Sequence, residues 1–494
     1  MDQPTRRDFL TALAAWPTLP AIFRDDPYRP LVGPRPGAPI RVRGRVASLG
    51  RGLAGVGVTD GLSVVPTDAD GRFELVTDSA RRYVSITVPA GFALPTSPSG
   101  TIKTFQPLVP DRRGEMISRF DLVPVLGGDR RHAFLLLADI QTQDLEDMGR
   151  FQRESVPDVA ATIGRLGEIP IFGVGDGDIM WDRLAMFDDY EAAVRRLGIP
   201  FVQVVGNHDL DLDRRTDEES TTTFERRFGP RYHSFDRGEV HYLVLDDVFY
   251  YDGGYLGYVG ADQLTWLRND LALVEPGRPV VVFAHIPFIS GFSERQGQAS
   301  PGIASYVVNR EAVYEVLSRY QTTILTGHIH DSDWGKTGSI SERNLGAVCG
   351  GWWTGNICRD GTPNGYGVYE VDGSAIRWRY QSTGEDVGHQ IRVYPRGADR
   401  SAPDEFVANV WGYEPGWKVT WYLEGQPQGA MARRVGVDPL ARERLTGDQL
   451  PAKRPWIDPV RTGHLFFAPA PTGPGEIRVE ATDLWGRVYT EVLR

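Results

Sequence analysis

Cysteine is nearly absent. The 494-residue chain has two, Cys349 and Cys358. A disulfide-stapled scaffold and a cysteine-rich zinc site are therefore excluded, and the choice between one bridge and two free thiols stays open. Positive charge is in deficit: 54 Lys and Arg stand against 65 Asp and Glu, a formal net charge of −11. Overall steering of DNA, RNA or an anionic membrane is not expected, so nucleic acid is not an expected partner. An anionic substrate needs local compensation, for which metal ions are one source. Long apolar runs are missing too. The stretch from Leu10 to Phe23 is interrupted by Pro17 and Pro20 and is too short to span a bilayer as an ordinary helix. No integral membrane segment is expected once a leader is removed. Internal repeats and low-complexity tracts are also absent, which removes the solenoid and collagen-like classes.

What is present is globular in proportion, with 41% hydrophobic and 24% charged residues. The length suits roughly two to four domains, each able to bury a core. Near the start, Thr5-Arg6-Arg7-Asp8-Phe9-Leu10 resembles a twin-arginine export signal. Residues 1–25 are expected to be that leader, which implies the twin-arginine export machinery as a partner and a periplasmic or secreted destination. The Pro-rich polar text that follows predicts a linker over 26–39.

Three textures then succeed one another. Over residues 40–127, short alternating runs such as "IRVRGRV" and "GRFELVTD", with Asp-Gly turn signals, predict a β-sandwich. It holds no cluster of His, Asp or Glu and reads as a structural or docking module that the rest of the chain does not need. Over 128–383, apolar runs that end in polar residues alternate with helix-period segments, predicting a layered α/β domain. The stretch "YGVYEVDGSAIRWRYQS" at 366–382 predicts a hairpin around its Asp-Gly turn. Over 384–494 the pattern is β-rich, with a long polar insertion at 438–459.

The polar residues at the strand ends carry the chemistry. They are Asp139 and Gln141 in "FLLLADIQ", Asp178 in "GDGDI", Asn207 and His208 in "VVGNHD", His285 in "VVFAHIP", and His328 and His330 in "LTGHIH". Packing favours Val, Ile and Leu at such positions, so five polar endings in succession point to a site. Oxygen donors from Asp, Asn and Gln suit harder ions, and imidazole suits Zn and Fe. A carboxylate can bridge two ions about 3.5–4 Å apart, a pair that clamps a phosphoryl group and acidifies water. Gly177, Gly206 and Gly327 sit beside ligand candidates and permit close backbone approach.

The ordered set Asp-x-Gln, Gly-Asp, Gly-Asn-His-Asp, His, Gly-His-x-His resembles the calcineurin-like metallophosphoesterases. The β-rich regions on either side resemble the members with extra N- and C-terminal domains, and "GGWWTGNICRDGTPNGY" at 350–366 is similar to their Trp- and Gly-rich loop. The resemblance implies an α/β fold with a four-layer core of two sheets flanked by helices. It implies two divalent or trivalent transition-metal ions, Mn, Fe or Zn. Asp139, Gln141, Asp178 and His330 would hold one ion, and Asp178, Asn207, His285 and His328 the other. "GDGD" offers Asp176 as well, but "GDIMWD" fits the family text better from Asp178, which leaves Asp182 outside the ligands. His208 would contact phosphate or protonate the leaving oxygen, with Asp209 orienting it.

Trp352, Trp353 and Asn364 are the candidate substrate-binding residues. If the two tryptophans lie on a strand, they face opposite ways and at most one is buried. The expected activity is hydrolysis of a small phosphate monoester or diester by attack of a metal-bound hydroxide. The competing reading is an exported envelope-binding protein whose metal site is structural or degenerate. Gln141 departs from most of the superfamily, which has His there.

Overall fold

The computed structural model describes residues 39–446 and 450–493. The expected leader, and the expected linker up to residue 38, lie outside the described residues. The central region is built on two sheets packed face to face. One has the strand order Phe201–Val204, Ile171–Asp176, Arg131–Leu137, Gly365–Asp372, Ala375–Ser382. The other runs His233–Arg237, Val240–Val244, Pro279–Phe283, Gln321–Thr326, Ile340–Asn344, Asp333–Thr337. The first three strands of the first sheet are mutually parallel, as are Val240–Val244, Pro279–Phe283 and Gln321–Thr326 of the second. Six parallel strands therefore deliver their C-terminal ends to one edge of the molecule, where α/β folds place their sites.

Alternation along each strand sorts the side chains into layers. Phe134, Leu136 and Ala138 point between the sheets, while Leu135 and Leu137 point outward at helices. Between the sheets the packing is largely aromatic. Phe134 stacks on Tyr369 at 4.5 Å and on Phe172 at 5.3 Å, and meets Tyr242 and Phe283 edge-on. Outside the sheets, the amphipathic helices Val156–Leu166 and Phe187–Arg195 cover one face, and Ala261–Leu271 and Arg310–Leu317 the other. The result is a four-layer α/β fold, helix on sheet on sheet on helix. Residues 365–382 form the antiparallel hairpin that the Asp-Gly text predicts, with Gly373 in the turn at φ 63°.

Strands from Pro39–Ser48 to Glu115–Asp121 form two four-stranded sheets before this core. The region expected to be a separate structural or docking module packs into the core. Val42, Val46, Phe73, Leu75 and Phe120 belong to the same buried cluster as Phe134, Phe172, Phe235 and Val240. The backbone is continuous too, because Val88 bridges Phe235 and Thr101 bridges Phe201. Buried Asp270 then gathers His241 at 2.8 Å, the Ser234 hydroxyl at 2.7 Å and the Thr87 hydroxyl at 3.2 Å, and Thr87 comes from the N-terminal strands.

After the core come two more four-stranded sheets, with their own buried centre of Phe406, Val410, Trp421 and Val479. They join the core through Glu414, which accepts from Arg343 at 2.9 Å and from the Trp378 indole at 2.9 Å. The polar insertion forms the helix Pro439–Leu445, capped by Asp438, and a segment from Leu450 onward that returns to the core. Among the described residues, no helix is long and apolar enough to cross a membrane.

Removing residues 39–124 uncovers the apolar surface that Val42, Val88 and Ile102 now bury. The truncated chain is expected to aggregate. A monomeric truncation with one sharp denaturant transition, read by chromatography and circular dichroism, would show that the shared core is not needed.

Candidate metal centre

Three of the five contributing strands, Arg131–Leu137, Ile171–Asp176 and Gln321–Thr326, are followed by residues in the left-handed backbone region. Asp139 has φ 51°, Gln141 43°, Asp178 47°, His328 72° and His330 52°. That conformation is uncommon for residues other than glycine and marks places where tertiary contacts overrule local preference. Three glycines let these turns pack together. A Cβ on Gly206 would stand 1.9 Å from the Asp178 nitrogen, on Gly177 2.3 Å from the His285 ring, and on Gly327 2.4 Å from an Asp139 carboxylate oxygen.

Each of the three histidines points one ring nitrogen at a backbone carbonyl. His285 directs Nδ1 at the Asp176 carbonyl, 3.1 Å; His328 directs Nε2 at the Ala304 carbonyl, 2.8 Å; His330 directs Nδ1 at the Gly350 carbonyl, 2.8 Å. A carbonyl only accepts, so the ring nitrogen facing it donates. A neutral ring then keeps its lone pair on the other nitrogen. Those other nitrogens converge: His285 Nε2 lies 3.2 Å from His328 Nδ1, 3.2 Å from Asn207 Oδ1 and 3.2 Å from Asp178 Oδ1. Donation of the second N–H to a backbone acceptor is how proteins orient metal-ligating histidine.

The oxygen donors complete two adjoining groups. Ligand atoms of Asp178, His285 and His328 all lie within 4.8 Å of one another, and Asn207 joins them. On the other side, His330 Nε2 sits 3.3 Å from Asp139 Oδ1 and, though buried, has no hydrogen-bond partner. Asp178 touches both groups, its Oδ1 near His285 and its Oδ2 accepting from the Gln141 amide at 2.9 Å. Gln141 turns its nitrogen to Asp178 and its Oε1 toward Cys349 Sγ, 3.8 Å away, so an amide rotation is needed for Oε1 to serve as a ligand. Asp176, the other acid of "GDGD", keeps its carboxyl outside the cluster. It is fully buried with both oxygens unpartnered, and burial pushes it well above the usual carboxylate range. The donor set, the orphaned His330 nitrogen and the glycine-permitted closeness together fit a pair of ions. Cys349 and Cys358 are buried free thiols.

Beside the cluster, half-buried His208 directs Nδ1 at Asp182 Oδ1, 2.8 Å away. Burial disfavours its charged form, but the carboxylates of Asp178 and Asp182 outweigh that and raise its pKa. Asp182, not Asp209, therefore holds the ring. The expected role of Asp209 is corrected: its carboxylate accepts from the backbone N–H groups of Ile179, Met180 and Gly206 at 2.9–3.1 Å, so it ties the Asp178 turn to the Asn207 turn. Asp247 does the same for the next strand end, accepting from the His285 and Ile286 N–H groups at 3.2 and 2.9 Å. The strand text "HYLVLDD" contained Asp247, but nothing in it separated a brace from a ligand.

Two substrate-binding expectations are also corrected. Trp352 and Trp353 lie in a turn, not a strand, at φ 52° and 60°. Trp353 is buried and donates its indole N–H to the Ile140 carbonyl at 2.9 Å, so it anchors the loop. Asn364 is buried beneath that loop, where a Cβ on Gly350 would stand 1.9 Å from its Oδ1. Trp352 alone of the three lines the site, stacked on His330 at 4.3 Å. Local patterning missed Trp181, 5.7 Å from His208, and Trp456 and Arg454 of the polar insertion. The last two meet partners between 102 and 307 residues away in sequence, beyond any local signal.

Residues 132–332 match the family model described as Calcineurin-like phosphoesterase, 40–125 that for the N terminal of Calcineurin-like phosphoesterase, and 342–489 that for the C terminal of Calcineurin-like phosphoesterase. Among curated proteins, Serine/threonine-protein phosphatase CPPED1 of Bos taurus is 28% identical over 236 residues, covering 45% of this chain and 71% of that protein. Purple acid phosphatase 15 of Arabidopsis thaliana is 29% identical over 144 residues, 27% of this chain and 24% of that protein. Among solved structures, the purple acid phosphatase PPD1 of yellow lupin (Lupinus luteus) aligns with a TM-score of 0.37 at 12% identity, over 70% of this chain and 67% of that one.

Gln141 offers a direct measurement on this centre. A neutral amide oxygen in place of imidazole tilts a site toward Mn²⁺ or Fe and away from Zn²⁺. Gln141→His is expected to raise Zn²⁺ affinity relative to Mn²⁺, and Gln141→Ala to weaken one ion and leave the other. Competitive titration of the three proteins reads this, and an unchanged preference and stoichiometry would remove Gln141 from the ligand set.

Proposed function

This chain belongs to the calcineurin-like phosphoesterase family and is a metal-dependent phosphoric ester hydrolase; from that premise we propose that it cleaves a small phosphate monoester or diester at a two-ion centre. The observation that supports this reading most is the orientation of the three histidines. His285, His328 and His330 each face a backbone carbonyl with one nitrogen and turn the other into the space shared with Asp139, Asp178 and Asn207. Asp139, Gln141, Asp178 and His330 would hold one ion, and Asp178, Asn207, His285 and His328 the second. Ions bound there supply charge neutralisation for a phosphoryl group and a lowered pKa for the attacking water.

The chain's own residues do the rest. Asp178 spans both groups and fixes their separation. His208, held by Asp182 at Nδ1, keeps Nε2 for the leaving oxygen and passes it a proton as the P–O bond breaks. Asp209 and Asp247 keep the ligand turns in register by accepting their backbone N–H groups. The alternative of an envelope-binding protein with a degenerate site is disfavoured by the completeness of the donor set. Export to the periplasm or medium is part of the proposal on the strength of Arg6-Arg7; cell fractionation of wild type against Arg6→Lys, Arg7→Lys reads it.

Turnover of phenyl phosphate and bis-phenyl phosphate, with and without a strong chelator, tests the activity and separates monoesterase from diesterase. Full activity of metal-free protein would sink the reading. His208→Ala is expected to lower kcat by roughly 10²–10⁴, the range for a positioned proton donor, with metal content unchanged. Loss of both ions in that variant would move His208 into the ligand set instead.

A further inference from the structure

We propose that Trp181, Trp352 and Trp456 form a recognition wall for a planar aromatic ring in the leaving group of the substrate, an inference that rests on the hydrolase reading above. The three indoles come from three distant segments. Trp181 follows the Asp178 turn, Trp352 tops the Trp- and Gly-rich loop, and Trp456 comes from the polar insertion of the C-terminal region. They nevertheless form one contiguous surface. Trp181 and Trp352 centroids lie 6.3 Å apart, Trp352 and Trp456 4.9 Å, and Trp181 and Trp456 6.1 Å. Each is only half-buried, whereas Trp266 and Trp353 are buried.

The wall borders the chemistry. Trp181 is 5.7 Å from the His208 ring and Trp352 stacks on His330 at 4.3 Å. A leaving group protonated by His208 therefore emerges against these indoles. The wall is also held in place. Buried Asp147 accepts from Arg454 at 2.6 Å and from Lys453 at 2.6 Å, and the Arg454 guanidinium lies 4.6 Å from the Trp181 ring. Those ion pairs already fasten the insertion to the core. A fastening role alone leaves three partly exposed indoles beside the proton donor unexplained.

The geometry selects among occupants. Interplanar angles of 46°, 62° and 90° present both faces and edges, which suits an aromatic quadrupole. A quaternary ammonium group needs rings set apart around it, and these rings touch. Arg454 over Trp181, and Arg359 at 5.8 Å over Trp352, further repel a cation.

The experiment uses the metal-loaded full chain and non-hydrolysable probes, so that recognition is read separately from turnover. Calorimetry is expected to show phenylphosphonate binding about tenfold more tightly than methylphosphonate, the discrimination that one ring contact provides. Trp456→Ala is expected to erase most of that preference, and Trp456→Phe to retain it. Equal affinities for the two phosphonates in wild type, which need no variant to fold, would overturn the wall. So would a preference that Trp456→Ala leaves intact, or preferential hydrolysis of phosphocholine over phenyl phosphate. Aryl-selective binding without turnover of any phosphoester would instead overturn the hydrolase reading on which the proposal stands.

Discussion

Asp139 and Asp178 are buried carboxylates placed where two sheets meet, and this placement governs the rest of the structure. An ionised carboxylate taken out of water costs several kcal/mol even after relaxation, a large part of the roughly 5–15 kcal/mol that stabilises a folded domain. Such a pair persists only beside positive charge. The protein answers with imidazoles turned inward, with His285 against Asp178 at 3.2 Å and His330 against Asp139 at 3.3 Å. The same arrangement accommodates cations, which would neutralise the acids more fully than the imidazoles do.

Bringing those groups together strains the backbone. Nine of the twelve described non-glycine residues with positive φ belong to the site or its wall, from Asp139 to Arg454. Each costs about 1–3 kcal/mol and persists only where surroundings over-determine it. The surroundings here are the packed layers. Phe134 is three residues into the strand that ends before Asp139 and is in contact with four other aromatic rings. Losing such a side chain typically costs about 3–5 kcal/mol, so core packing of this kind is large enough to hold several strained turns.

The flanking β regions share in this economy. The N-terminal strands close the end of the inter-sheet core, so their packing supports the strands that carry the candidate ligands. The C-terminal region contributes differently. It has its own core, and it sends Lys453, Arg454 and Trp456 back across the strand ends, where Asp147 receives the first two and Trp456 packs on Trp352 and Trp181. A two-sheet core thus acquires a wall from a separate layer without altering any ligand.

Sequence by itself determined the parts that depend on local pattern. Alternation and apolar runs located the strands, because side-chain period follows from backbone geometry alone. The abrupt polar endings at Asp139, Asn207, His285 and His328 located the edge of the candidate site, since packing would have placed aliphatic residues there. Only tertiary structure decided what depends on which neighbour arrives. Asp182 and Asp209 are both acids close to His208, and the turn directions alone made one a partner of the ring and the other a brace for backbone N–H groups. Trp352 and Trp353 are chemically identical, yet the left-handed turn sent one to the site and the other under it. Arg454 and Trp456 read as polar insertion because their partners lie between 102 and 307 residues away in sequence, and contacts of that separation leave no trace in local spacing.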